Sequence, residues 1–341
     1  MLHRNFKRVL VIQTAFLGDV ILITPLLRAL NTVLPNARLE VLLIPETSAV
    51  LKYNPYISDI LEFNKRKLRN KISSFVRLIF EIQKRRYDLA ISVQSSLTSA
   101  LIMVLGRIPV RLGFSRQKLL THSVPHVSGM HKIQKVLRLI EPFTSQKFDM
   151  QTELHWSSAE DAHADEIMAP LKERHRPIIG IAPGSIWYTK RWLKEYYAEL
   201  VKRLEQEHIQ CVLIGGADDH ALCDFIRAGT DAVNLAGELT VLESAALIER
   251  CDLMVTNDSA PLHIANAVKT DVIAIFGPTV TSFGFYPFRA SDQVIEIELD
   301  CRPCSSHGGK KCPLKHHRCM KEISPEMVFN AVKAKLQDKG F

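Results

Sequence analysis

The chain has 341 residues, 47% of them apolar and 23% charged, a composition that suits a soluble globular protein of about two domains. No apolar run reaches the roughly 18 residues of a membrane span, and no small-residue cleavage site follows the basic N-terminus, so neither a transmembrane helix nor a signal peptide is expected. The net charge of +8 is uneven: residues 1–150 hold 23 Lys+Arg against 9 Asp+Glu, and the remainder holds 21 against 27. A basic first half implies an anionic partner, whether nucleic acid, membrane surface or phosphorylated substrate.

In the first half, expected strands at Val9–Ile12, Leu39–Ile44, Leu89–Val93 and Val110–Leu112 alternate with expected helices at Val20–Asn31, Lys71–Lys84 and Lys132–Glu141. Residues Ser157 to Pro177 read as a crossover, with Ser158 capping a helix through Ala159–Leu171. A second series follows, with strands at Ile178–Ala182, Cys211–Ile214, Leu253–Thr256 and Val272–Phe276. Its helices are Leu193–Glu205, Asp219–Arg227, Leu242–Arg250 and Leu262–Val268. A last helix, Ser324–Lys335, has Ser324 as cap and Pro325 in its first turn. Alternation of this kind predicts βαβ units around two mostly parallel sheets, with a cleft between two α/β halves.

Several loops at strand ends carry chemistry. Thr14-Ala15-Phe16-Leu17-Gly18-Asp19 follows the first strand; Gly18 permits a tight turn, and Asp19 either caps the next helix or acts on a ligand. It lacks the three-glycine dinucleotide fingerprint, which disfavours NAD. Pro183-Gly184-Ser185 offers donors to phosphate oxygens, and Lys190 adds a point charge; the loop is not of the Walker type. Gly215-Gly216-Ala217-Asp218-Asp219 is another strand end with room for a ligand, or a simple turn with a capping Asp. Asn257-Asp258-Ser259-Ala260, with His263 further on, gathers a carboxylate, a hydroxyl and an imidazole where a buried strand becomes a helix, a natural anion site.

Seven cysteines, odd in number and without an export signal, point to a reducing compartment. Cys211, Cys223 and Cys251 read as small core residues. Cys301-x2-Cys304 suits zinc, but Cys312-x6-Cys319 has the wrong spacing for a standard ribbon, so no metal is assigned. The neighbouring cations Lys310, Lys311, Lys315 and Arg318 also fit an anion-facing flap. The basic run Lys65, Arg66, Lys67, Arg69 is either a solvated face or an anion-binding one; it lacks the aromatics of a single-strand nucleic-acid site.

In order and spacing, Leu17-Gly18-Asp19, Pro183-Gly184-Ser185 with Lys190-Arg191-Trp192, Asn257-Asp258-Ser259 with His263, and the Cys301–Met320 ending resemble glycosyltransferase family 9, the bacterial ADP-heptose:lipopolysaccharide heptosyltransferases, most closely the heptosyltransferase II type. The resemblance implies an α/β GT-B fold: an N-terminal acceptor-binding Rossmann-like domain (1–160), a C-terminal nucleotide-sugar domain (175–322) facing it across a cleft, and a final helix (324–341) packing back on the first domain. It implies inverting heptosyl transfer from ADP-heptose to a phosphorylated, Kdo-bearing lipid A core, without metal or cofactor. Asp19 would be the general base and Lys190 the diphosphate cation. Thr14, Gly18, Gly184, Ser185, Asp218, Asp258, Ser259, Ala260 and His263 would line the donor site, with adenine near Leu239 and ribose toward Glu243. Lys65, Arg66, Lys67 and Arg69 would meet the acceptor. The enzyme would be cytoplasmic and peripheral on the anionic inner face of the inner membrane, with no nucleic-acid partner. Other readings are a family 9 enzyme with another nucleotide sugar or glycan acceptor, and a non-catalytic lipopolysaccharide-binding protein on the same fold, though the latter need not keep Asp19 and Lys190.

Overall fold

The computed structural model describes residues 5–64, 71–172 and 176–341. It divides into two compact units, residues 1–155 and 156–341. The first begins with β1 (Arg8–Ile12), α1 (Leu17–Ile21), α2 (Thr24–Val33), β2 (Arg38–Leu43), α3 (Pro45–Ser48) and β3 (Asp59–Glu62). It continues with α4 (Lys71–Arg85), β4 (Leu89–Ser92), α5 (Leu97–Leu105), β5 (Val110–Phe114), β6 (His122–Val124) and α6 (Lys132–Leu137). Its sheet is parallel, in the order β3-β2-β1-β4-β5-β6. The central strands are largely apolar and buried because helices cover both faces, with Glu40 on β2 the buried exception in charge. Leu10, Ile12, Leu42 and Ala90, for example, pack under Leu78 and Ile82 of α4 and Ile102 and Met103 of α5.

The second unit repeats this plan. It runs α7 (Ser158–Lys172), β7 (Ile178–Ala182), α8 (Lys194–Gln206), β8 (Gln210–Leu213), α9 (His220–Arg227), β9 (Val233–Asn234), α10 (Val241–Glu249), β10 (Leu253–Asn257), α11 (Ala260–Ala267), β11 (Val272–Phe276), β12 (Gln293–Glu296), α12 (Arg318–Lys321) and α13 (Pro325–Asp338). The parallel order is β12-β11-β10-β7-β8-β9.

The eight expected strands are all present, and four more join them. The additions, β3, β6, β9 and β12, are the edges of the two sheets. The expected helix Val20–Asn31 is two helices, because Pro25 stands in the first turn of α2 and cannot extend α1. Ser157, rather than Ser158, stands before α7; its backbone N–H donates to Glu160 at 3.0 Å and its hydroxyl accepts from Ala159 N at 3.2 Å. Ser324 caps α13 as expected, accepting from Met327 N. One side of this helix, Val328, Ala331, Val332 and Leu336, lies in the core of the second unit, with Trp192, Tyr197 and Leu200. The helix Ser158–Lys172 also belongs to that unit, where Arg250 pairs with Asp161 and Asp165, both at 2.8 Å.

One buried charge organises the first unit. Glu40 on β2 is fully buried and bonds Arg8 at 2.7 Å, Arg85 at 2.5 Å and the Tyr87 hydroxyl at 2.5 Å. Burial, then the Glu40 bond, pushes the Tyr87 hydroxyl above its ordinary range, so it stays a proton donor. Replacing Glu40 with Leu leaves the two guanidinium groups without this carboxylate, and about 3–5 kcal/mol of stability should be lost. Urea unfolding of Glu40→Leu checks this; an unchanged midpoint would show the cluster to be incidental.

Candidate active site

In each sheet the chain reverses its direction of travel once, between β1 and β4 and between β7 and β10. Loops leaving the two strands on either side of such a point diverge, and the crevice at their carboxyl ends is where open α/β sheets hold ligands. The Thr14–Asp19 loop follows β1, Pro183–Lys190 follows β7, and Asp258–His263 follows β10. Gly215–Asp219 and Leu239–Glu243 follow the neighbouring strands β8 and β9.

In the second unit the crevice is pinned by Asn257. Its side chain is fully buried. Its Nδ2 donates to Pro183 O at 2.8 Å, while its Oδ1 accepts from Trp192 N at 3.0 Å and from the Tyr197 hydroxyl at 3.2 Å. One amide thus ties the end of β10 to the loop after β7 and to the start of α8. The next residue, Asp258, does not cap α11. Its Oδ2 accepts from Lys190 Nζ and from the buried Thr279 hydroxyl, both at 2.6 Å. Asp258 is 7% exposed and the Lys190 side chain 13%. Such a shielded pair contributes little net stability, but it fixes an ammonium group at the mouth of the crevice. Ser259 occupies the position before α11 without a side-chain bond to that helix. Ala260 is the first residue of α11, and His263 is buried on the same helix.

Gly184 is buried, and a Cβ there would lie 2.4–2.5 Å from three atoms of the Asp219 carboxyl group. Asp219 also accepts from Gly216 N at 3.1 Å and crowds Gly215. The carboxylate that closes on the glycine loops is therefore Asp219. The 3₁₀ turn 217–219 leaves the expected Asp218 exposed instead. Ser185 contributes its carbonyl to Arg191 Nε at 2.7 Å. Leu239 is half-buried just before the capping residue Thr240. Glu243 completes a capping box, accepting from Thr240 N at 2.7 Å, and its other oxygen bonds His163 Nδ1 at 2.8 Å. The Thr240 amide holds the Glu243 carboxyl below its usual range; partial burial opposes this and the His163 bond adds to it.

The cysteine segment folds onto the Lys190 turn. Gly309 N donates to Thr189 Oγ1 at 2.7 Å, Thr189 N donates to Gly309 O at 3.0 Å, and the His317 ring stacks on Tyr188 with centroids 5.8 Å apart. Gly308 has φ +88°, and a Cβ there would come 3.0 Å from Lys190 Cγ. Burial pushes the Cys319 thiol up to about 11. It raises Cys304 too, helped by its neighbours Cys301 and Cys312. Among the described residues, no three His, Cys, Asp or Glu side chains converge as a metal ion would require.

In the first unit Thr14 Oγ1 donates to Gln94 Oε1 at 3.3 Å, bridging the loops after β1 and β4. Phe16, not Asp19, stands at the cap position of α1. Asp19 lies in the first turn, its backbone carbonyl held by Gln13 Nε2 at 3.0 Å and its carboxylate 3.6 Å from Lys132 Nζ. Gly18 is buried beside it. More cations gather nearby: burial lowers the pKa of the Lys135 ammonium, and Lys132 and Arg116 lower it further. Lys65, Arg66, Lys67 and Arg69 lie outside the described residues.

Thr279, Lys132 and His163 are the residues that sequence reasoning passed over as site residues, and Asn257 and Asp219, though part of the motifs, had no site role assigned to them. The only signal for Asn257 was a polar residue ending an apolar strand.

Two Rossmann-like parallel α/β units, each with its polar residues at a topological switch point, define a GT-B glycosyltransferase framework. The sequence model of glycosyltransferase family 9 (heptosyltransferase) matches residues 75–316. Lipooligosaccharide heptosyltransferase 2 of Campylobacter jejuni subsp. jejuni serotype O:6 is 27% identical over 93% of this chain and 96% of its own. Lipopolysaccharide heptosyltransferase 3 of Escherichia coli K12 is 31% identical over 77% of this chain and 80% of its own. Among solved structures, the E. coli ADP-heptose lps heptosyltransferase II has a TM-score of 0.80 at 26% identity, covering 98% of this chain and 100% of that one. A family 9 glycosyl transferase from Veillonella parvula shares the fold with a TM-score of 0.87 at 22% identity, covering 97% and 98%. The chain belongs to glycosyltransferase family 9.

Removing the Asn257 amide strands two buried donors, Trp192 N–H and the Tyr197 hydroxyl. Asn257→Ala should cost about 2–4 kcal/mol in urea unfolding and weaken ADP binding in calorimetry by loosening Pro183–Gly184. Wild-type stability together with wild-type ADP affinity would remove Asn257 from its organising role.

Proposed function

We propose that this enzyme transfers heptose from ADP-L-glycero-D-manno-heptose to the inner core of lipopolysaccharide, adding a second heptose to the first. The observation that carries the reading is the Lys190–Asp258 pair beside Gly184 at the β7/β10 switch point of a family 9 chain. A diphosphate leaving group needs positive charge and neutral donors rather than a proton. Lys190 supplies the charge, with Ser185 and the amides at the start of α11 as donors, so the reaction runs without a metal. Asp258 holds Lys190 in place and Thr279 holds Asp258. Leu239 and Glu243 stand at the carboxyl end of β9 for adenine and ribose.

In the first unit, Asp19 is the general base for the acceptor hydroxyl, which attacks the anomeric carbon in a single displacement as ADP departs. The gathered cations Arg116, Lys132 and Lys135 support an anionic acceptor, because their mutual repulsion is relieved by a bound phosphate. The acceptor is the phosphorylated, Kdo-bearing lipid A core. The basic segment Lys65–Arg69 adds to the same attraction. No helix among the described residues is long and apolar enough to cross a membrane. In this reading the basic first half brings the enzyme to its lipid-borne acceptor at the cytoplasmic face as a peripheral protein, without a nucleic-acid partner.

Two variants separate the roles. Asp19→Asn should lower kcat by about 10²–10⁴-fold while ADP-heptose affinity stays near wild type. Lys190→Ala should weaken ADP binding by about tenfold or more. Near-normal kcat in Asp19→Asn, or unchanged ADP affinity in Lys190→Ala, would remove that residue from its role.

A further inference from the structure

We infer that the outward faces of α4 and α5 form the surface by which the protein docks on an anionic lipid bilayer. Helix α5, Leu97-Thr98-Ser99-Ala100-Leu101-Ile102-Met103-Val104-Leu105, carries no charged residue. Its inner side, with Ile102 and Met103, packs on the sheet. Its outer side is apolar as well: Leu97 is 65% exposed, Leu101 38%, Val104 37% and Leu105 45%. Their spacing of four, seven and eight residues makes one stripe along the helix. On α4 the i, i+4 pair Val76 and Phe80 is 43% and 67% exposed.

These residues belong to one patch. The inner sides of α4 and α5 pack on the same face of the sheet. Gln83 Nε2 donates to Leu105 O at 2.7 Å, and a Cβ on Gly106 would lie 2.5 Å from Ile82. Contiguous exposed apolar surface rimmed by polar groups marks an interaction site. An ordinary surface helix has a polar outer face, whereas on α5 Thr98 is the one exposed polar residue beside four exposed apolar ones.

The rim selects the occupant. Arg77, Lys84, Arg86 and Arg107 are exposed around the patch. The one acid on either helix, Glu81, is engaged by Arg85 at 2.8 Å. Two copies meeting through this surface would bring like charges together, which opposes a symmetric dimer. An anionic bilayer satisfies both features: its headgroups attract the cations, and its acyl boundary takes up the apolar side chains. The inference rests on the proposed lipid-borne acceptor, and it names the face of the first unit that reaches it.

The test is vesicle flotation of the full chain, using vesicles of phosphatidylglycerol and phosphatidylethanolamine against vesicles of phosphatidylcholine alone, with no lipopolysaccharide present. The wild type should float with the anionic vesicles. The triple variant Phe80→Gln, Leu97→Gln, Leu105→Gln should bind them about tenfold less, with unchanged transfer to a delipidated, soluble acceptor. Equal flotation of the two proteins would overturn the assignment. So would a wild type that fails to float but is dimeric by light scattering, with the variant monomeric. Failure of the functional reading would look different: no transfer to the soluble acceptor by either protein, whatever the flotation result.

Discussion

The candidate donor site depends on where the carboxamide of Asn257 sends its hydrogen bonds. Two strands that are neighbours in space, β7 and β10, are far apart in sequence, and the loops leaving them diverge. Without a cross-tie, those loops would hold a ligand only loosely. Asn257 provides the tie, because a buried amide must find partners and all of its partners lie on the other loop or on α8. Gly184 is thereby placed against Asp219, and Asp258 is placed against Lys190 and Thr279. An apolar residue of similar size at position 257 could fill the space but could not align the loops.

Charge is the second constraint, and the two units use it differently. In the second unit a single ammonium group is shielded and matched to a single carboxylate, which suits a leaving diphosphate whose developing charge must be met without rearrangement. In the first unit positive charge is gathered in excess around one acid, Asp19, consistent with 23 basic residues against 9 acidic in residues 1–150. Glu40 shows the same unit solving a structural problem of like charge: buried on β2, it collects Arg8 and Arg85 around one carboxylate.

Much of the fold was legible in the sequence because interior parallel strands are mostly apolar runs, broken at few positions such as Glu40 and Arg111. The four strands not anticipated are all edges, where half-exposed sequences such as Asp59-Ile60-Leu61-Glu62 and Gln293-Val294-Ile295-Glu296 carry no such run. Helix α5 was hidden for the opposite reason: from Ala100 to Leu105 it is apolar without a break, so it shows no helical alternation. Loop positions could be read from strand ends, so Asp19, Gly184, Lys190 and Asp258 fall at the switch points. Side-chain pairing could not be read, since it depends on contacts between distant segments. Hence the Lys190–Asp258 pair, the Thr279 and Asn257 contributions, and the closure of Asp219 on Gly184 emerged only in three dimensions. The last helix follows the same rule: its apolar side was evident, but its place in the second core was set by Trp192 and Tyr197.

The central claim is that this framework moves heptose from an ADP donor onto a core acceptor. The most direct measurement incubates the purified protein, in chelator-containing buffer, with ADP-heptose and a truncated core acceptor ending in one heptose, and reads the acceptor by mass. The account predicts a gain of one heptose with ADP-heptose and none with UDP- or GDP-sugars. No gain with ADP-heptose, or a preference for a UDP- or GDP-sugar, would contradict it.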